Sequence, residues 1–342
     1  MKLSKTLIAF IAMLTCTHAL AADINTGFQK LKIKDTQGSR TLNGFVWYPT
    51  NDTKRIKTVQ GNKVWQGIEA IKNARAMDGK HPLVILSHGI MGTAMAQAWL
   101  AQSLSQRGYI VAGVHHPGTS FFADDANDRR ELWRRPQDIS RIIDDLLSDD
   151  EFAPVIDSDR IFAVGHSLGG VTVMSAIGAG YDQSRVDTIC DDTPDDLVCT
   201  ILDDWNIGKT PADIAALEQD ATDPRIKAAV LFDMGGAQTF APASLAKMTT
   251  PVLIYGATAG HVDLDRNSRL LAETMPSQTT QYLEMSDYTH FDFMGLCTEN
   301  GLDILQKYEP QDVEVCTDGR ALRAAKHGDI VTQVTQFFAT HD

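Results

Sequence analysis

One stretch constrains this chain more than any other: residues 161–170, IFAVGHSLGG. Its first four residues form an apolar run of the kind that makes a buried parallel strand. Gly165, His166, Ser167, Leu168 and Gly169 then spell G-x-S-x-G, and residues 171–177 are small and apolar enough to begin a packed helix. A serine wedged between strand and helix needs a tight turn. Glycines two before and two after it remove Cβ atoms that would clash there. Such a turn carries Ser167 Oγ to the top of a sheet and leaves the Leu168 N–H facing any oxyanion that forms. Five-residue patterns with three fixed positions are common by chance. The strand before and the helix after are what make Ser167 a nucleophile candidate.

The chain opens like an export signal. Lys2 and Lys5 form a positive start, residues 7–14 an apolar core, and Ala19-Leu20-Ala21 a cleavage site. The apolar run is too short for a stable membrane anchor, and Met13-Leu14-Thr15 makes a poor lipid-attachment context for Cys16. The expectation is a signal over residues 1–21, a mature domain over 22–342, and a periplasmic or secreted location. Four cysteines remain after cleavage, an even number suited to two disulfides in an oxidising compartment. Their order pairs Cys190 with Cys199 and Cys297 with Cys316, whereas the spacings match no zinc-ligand pattern. The formal net charge of −13 argues against nucleic acid and anionic membrane surfaces as partners.

Residues 28–33 and 42–48 alternate like paired antiparallel strands, and residues 51–80 are polar and irregular, with room for one more strand and a surface excursion. From Pro82 the rhythm becomes strand, helix, strand. Strands are expected over 83–86, 109–114, 161–164, 226–232 and 252–255, with helices over 93–107, 136–147 and 321–338. This alternation predicts a mostly parallel central sheet with helices on both faces, and ligands at the C-terminal ends of its strands. Residues 178–224 break the rhythm. They are acidic, carry Cys190 and Cys199, and include a short helix over 211–218 capped by Thr210. A disulfide-stapled insertion after the nucleophile helix is either a lid over the site or a surface excursion.

A serine needs a base to take its proton. For a serine on such an elbow that base is a histidine later in the chain, and an acid orients it. His81, His88, His115 and His116 come too early, His166 lies in the elbow itself, His327 sits on the last helix and His341 at the terminus. His261 and His290 remain. His290 falls in the loop 286–293 after an apparent strand over 281–284, where a last strand-to-helix loop delivers a histidine to the sheet top. The usual acid slot, after the strand at 252–255, holds Ala259; Asp263 and Asp265 lie further along. Asp233 closes the preceding strand and is the favoured acid, with Asp263 and Asp265 as alternatives. The second oxyanion donor should come from the loop over 87–92, SHGIMG, with the Ile90 N–H as the candidate. Phe121, Phe122 and Phe291 are candidates to line an apolar pocket.

The segments LSHGI at 86–90, RGYIVAGVHHPG at 107–118 and GHSLG at 165–169 resemble the bacterial "predicted dienelactone hydrolase" group, and the sequence is also similar to the platelet-activating-factor acetylhydrolases. The resemblance covers most of residues 82–297 and leaves out the insertion. It implies an α/β-hydrolase fold and a Ser167, His290, Asp233 triad, with Ile90 and Leu168 as oxyanion donors. It also implies hydrolysis of small or short-chain acyl esters, the substrate being a small-molecule or lipid-like ester. Dienelactone hydrolases use a cysteine where this chain has Ser167, so that name says little about substrate. Such a mechanism needs no metal or organic cofactor. The same elbow serves peptidases, thioesterases and acyltransferases, and a catalytically silent binding protein is a further alternative.

Overall fold

A computed structural model describes residues 24–35, 40–317 and 322–341. The export signal expected over residues 1–21 lies outside the described residues. The strands are β1 (Asn25–Ile33), β2 (Leu42–Thr50), β3 (Lys57–Val59), β4 (Ile68–Lys72), β5 (His81–Ser87), the two-residue β6 (Met91–Gly92), β7 (Ile110–His115), β8 (Ile156–His166), β9 (Ile226–Phe232), β10 (Val252–Ala257) and β11 (Thr280–Met285). All but β6 join one sheet in the order β11-β10-β9-β8-β5-β7-β2-β1-β4-β3. From β11 to β7 every pairing is parallel; β2 is antiparallel to both β7 and β1. This is the mostly parallel sheet that the alternation predicted.

The parallel strands are apolar without a break because both faces are covered. Leu83 and Ile85 of β5 and Ile161 and Ala163 of β8 join one core, with Ile139, Ile143 and Leu146 of the helix Arg134–Ser148. Their neighbours Val84, Leu86, Phe162 and Val164 join the other, with Leu100 and Leu104 of the helix Ala98–Ser105 and Val334 and Phe338 of the helix Arg323–Ala339. Successive side chains on a strand point to opposite faces, so each face needs its own apolar set.

Two regions hold more structure than their composition suggests. Residues 51–80 contribute β3 and β4, a hairpin at the far sheet edge. The insertion contains three helices, Gln183–Asp192, Leu197–Asp204 and Pro211–Leu217, where only the last was expected. The acids that read as irregular chain are caps: Asp182 accepts from the Arg185 N–H and Asp196 from the Val198 N–H. Thr210 caps the third helix as expected. Cys190 is bonded to Cys199, linking the first two helices, and Cys297 to Cys316. No helix among the described residues is long and apolar enough to cross a membrane.

Candidate active site

Ser167 sits between the end of β8 and the helix Leu168–Ala176 with φ 54° and ψ −125°, a backbone conformation that side chains other than glycine rarely adopt. The close approach behind it explains the flanking glycines. A Cβ on Gly165 would lie 2.3 Å from the Gly169 carbonyl oxygen, and one on Gly169 2.0 Å from that of Ser87. The Ser167 N–H donates to the Phe232 carbonyl at 3.1 Å, tying the elbow to the last residue of β9.

Asp233 follows immediately, also at positive φ (41°). Its Oδ1 accepts the Ala257 N–H at 3.0 Å and its Oδ2 lies 2.7 Å from His290 Nδ1. Both side chains are buried. A neutral imidazole that gives its Nδ1 proton to a carboxylate keeps Nε2 as an acceptor. Asp263 and Asp265 do not bond His290. Asp263 accepts the Asp265 and Arg266 N–H groups, and Asp265 pairs with Arg269 at 2.8 Å.

His290 opens the short helical turn His290–Phe293, held from both sides. In front, His166 Nε2–H donates to the His290 carbonyl at 2.9 Å. Burial, then the neighbouring His290, lowers the His166 pKa to about 3, so the ring beside the candidate base stays uncharged. Behind, Asp292 accepts the Thr289 N–H at 2.9 Å and pairs with Lys326 of the C-terminal helix at 2.7 Å. His327 donates to the Asp292 carbonyl at 3.0 Å.

The loop after β5 lies against the serine: a Cβ on Gly89 would come within 2.9 Å of Ser167 Cβ. His88 Nδ1–H donates to the Gly89 carbonyl at 2.8 Å, and the Gly92 N–H joins it at 3.1 Å. Carbonyl and N–H of a trans peptide point in opposite directions, so these bonds turn the Ile90 N–H away from His88. Among the described residues neither the Ile90 nor the Leu168 N–H has a hydrogen-bond partner.

His88 in turn accepts the His116 N–H at 3.0 Å. His116 accepts from Ser87 Oγ at 3.0 Å and donates to Asp138 at 2.9 Å, and Arg40 grips Asp138 at 3.0 and 2.8 Å. Arg135 donates to the His88 carbonyl at 2.5 Å and to Thr119, Thr172 and Ser87. Burial is the largest influence on each group. It pushes His88 well below the usual histidine range, His116 to about 4 and Arg135 to about 9. For Asp138 burial works upward, but hydrogen bonds from His116 and Arg40 outweigh it and hold the carboxyl low.

Ser167, Leu168, Ile90 and His290 all line one cavity of about 1100 Å³, with Asp233 closed off behind His290. Phe121, Phe122 and Phe291 line it too. Sequence reasoning passed over His88 and His116 because their place in the chain excludes them as the base. Position next to Gly89 was the available signal for His88. Arg135 and Asp138 carried a different one: both lie on the apolar face of an amphipathic helix.

Residues 95–183 match the prolyl oligopeptidase family. The chain is 27 % identical to the platelet-activating factor acetylhydrolase of Cavia porcellus over 29 % of its own length and 32 % of that protein's. The ferulic acid esterase of Streptomyces cinnamoneus superposes with a TM-score of 0.62, covering 94 % of this chain and 91 % of that one at 19 % identity. The chain has the α/β-hydrolase fold. Within that fold the elbow and Asp233 stand at the C-terminal ends of adjacent parallel strands, β8 and β9, and the cavity opens above them.

Proposed function

We propose that this hydrolase-fold protein is an exported serine carboxylester hydrolase working through an acyl-enzyme. The observation that carries the reading is the Asp233–His290 bond of 2.7 Å, set beside a serine at φ 54° in the same cavity wall as His290. His290 Nε2 takes the Ser167 proton as Oγ bonds to the ester carbonyl carbon. The Ile90 and Leu168 N–H groups receive the oxyanion. Collapse of the intermediate breaks the bond to the alcohol oxygen, which His290 protonates. Water then repeats the sequence and frees the acid. Ester-cleaving names on two of the similar proteins support this reading. The two disulfides fit an oxidising compartment. The mature domain runs over 22–342 with residues 178–224 as a lid, and short acyl esters are the least that its centre accepts.

Ser167→Ala should remove ester hydrolysis by several orders of magnitude while the protein stays folded. A fluorophosphonate should label the wild type at Ser167 and leave the variant unmarked. Labelling elsewhere, or an active variant, refutes the assignment. The match of residues 95–183 to the prolyl oligopeptidase family favours a second reading, peptide cleavage by the same residues. Faster release from an aminoacyl amide than from the matching ester would select it.

A further inference from the structure

The cavity is far larger than a short acyl ester requires. Beside His290 its lining includes Phe291, Met294 and Leu296. The insertion contributes a second part of the lining. Its helix Leu197–Asp204 lends Val198, Ile201 and Leu202, spaced three and four apart and so on one helix face. Leu217 of the next helix, Trp133 and Tyr181 complete the walls. Two charged groups there are spent on one another: Arg266 pairs with Asp196 at 2.5 Å. Arg135 is fully engaged with neutral partners.

An aliphatic helix face aimed into a cavity, with its nearest charges paired, binds hydrocarbon rather than a polar group. The chemistry decides which half of the ester lies there. His290 must protonate the departing alcohol, so the alcohol sits on the side of the His290 turn, along Phe291 and Met294. The acyl group, bonded to Ser167, is left the remaining apolar lining, whose aliphatic part comes from the insertion's helix. We infer that the compartment beneath the insertion holds an unbranched aliphatic acyl chain of medium length, with Ile201 and Leu202 as its length-setting contacts. This rests on the serine-hydrolase reading for the direction of the acyl group. The space itself does not.

The test uses the disulfide-bonded mature protein and nitrophenyl butyrate and octanoate. Each buried methylene can raise kcat/KM by up to about fourfold, so octanoate should exceed butyrate by at least about tenfold. Ile201→Trp and, separately, Leu202→Gln should lower that ratio by about fivefold or more. Calorimetry on Ser167→Ala supplies an arm independent of turnover: octanoic acid should bind more tightly than butyric acid, and Ile201→Trp added to Ser167→Ala should erase the difference. Equal kcat/KM for butyrate and octanoate, with length-blind binding, overturns the compartment. Length-dependent binding in a protein that hydrolyses no ester keeps the compartment and overturns the catalytic reading instead.

Discussion

The two sides of Ser167 are held by different means. On the Ile90 side the loop rests on a closed network of His88, His116, Asp138, Arg40 and Arg135, all buried. On the His290 side one carboxylate meets the imidazole, and the turn is fastened by Lys326 and, seven residues on from His290, by the Cys297–Cys316 bond. The contrast follows from what must be aimed. A side chain can be oriented by a single partner on its far atom. A backbone N–H can be oriented only by fixing its whole peptide plane, which takes bonds to the neighbouring carbonyl and something rigid behind them.

The sharpest way to break that contrast is at the single partner. Asp233→Asn should leave the fold intact and lower turnover roughly ten-thousandfold, because the imidazole loses its tautomer and its charge partner. Asp263→Asn and Asp265→Asn should change turnover little, since their bonds go to their own loop and its arginines. A crippled Asp263 variant beside an active Asp233 variant would move the acid to the later strand.

The Ile90 side should respond less steeply, because its peptide has a second bond from Gly92. His88→Ala should lower kcat by about a hundredfold, near the lower end of what losing one oxyanion donor costs. KM should stay close to the wild-type value, and the fluorophosphonate should react more slowly in proportion. A variant that loses substrate binding and keeps kcat would make His88 part of the packing and nothing more.

This asymmetry also explains what the sequence could reveal. Ser167 was legible because the elbow needs glycine at 165 and 169 for steric reasons that any alignment of strand and helix imposes. His290 and Asp233 came from chain order and strand ends, both one-dimensional properties. The parallel strands were legible from unbroken apolar runs, since burial on both faces leaves no alternation. The network around His116 was not, because its members lie at 40, 88, 116, 135 and 138 and meet only where β5 and β7, the chain entering β2 and the helix Arg134–Ser148 come together. The insertion hid its helices for another reason: they are short, and capping aspartates look like solvated chain until their N–H partners are known.

A smaller effect separates the fastenings. Replacing both Cys297 and Cys316 with serine should lower stability by about 2–4 kcal/mol, read as a lower melting temperature, and should weaken turnover through the His290 turn. Serine at both Cys190 and Cys199 should leave butyrate turnover less affected, since that bond staples the insertion. Equal losses from the two pairs would show that the C-terminal bond gives the His290 turn no special support.

The mildest test is acidity, read on the Ile90 side through His116. His116 faces Asp138, Arg135, Arg40 and His88, and burial with the Arg135 charge lowers its pKa from 6.5 to about 4. The unfolded chain therefore takes up a proton near pH 6.5 that the folded protein refuses until about 4. Stability from this group is complete above pH 6.5 and drains away as the pH falls through that interval. One such proton contributes a slope approaching ~1.4 kcal/mol per pH unit. His88, His166 and His327 are lowered as well, the last two to about 3 and about 4, and add slopes of the same sign. His116→Gln should keep a hydrogen bond to Asp138 or Ser87 and remove one proton's share of the slope, measured as urea midpoints between about pH 7 and pH 4.5. A slope that does not change would mean His116 already carries its proton beside Asp138. The network behind Ile90 would then hold its loop by charge pairing rather than by neutral hydrogen bonds.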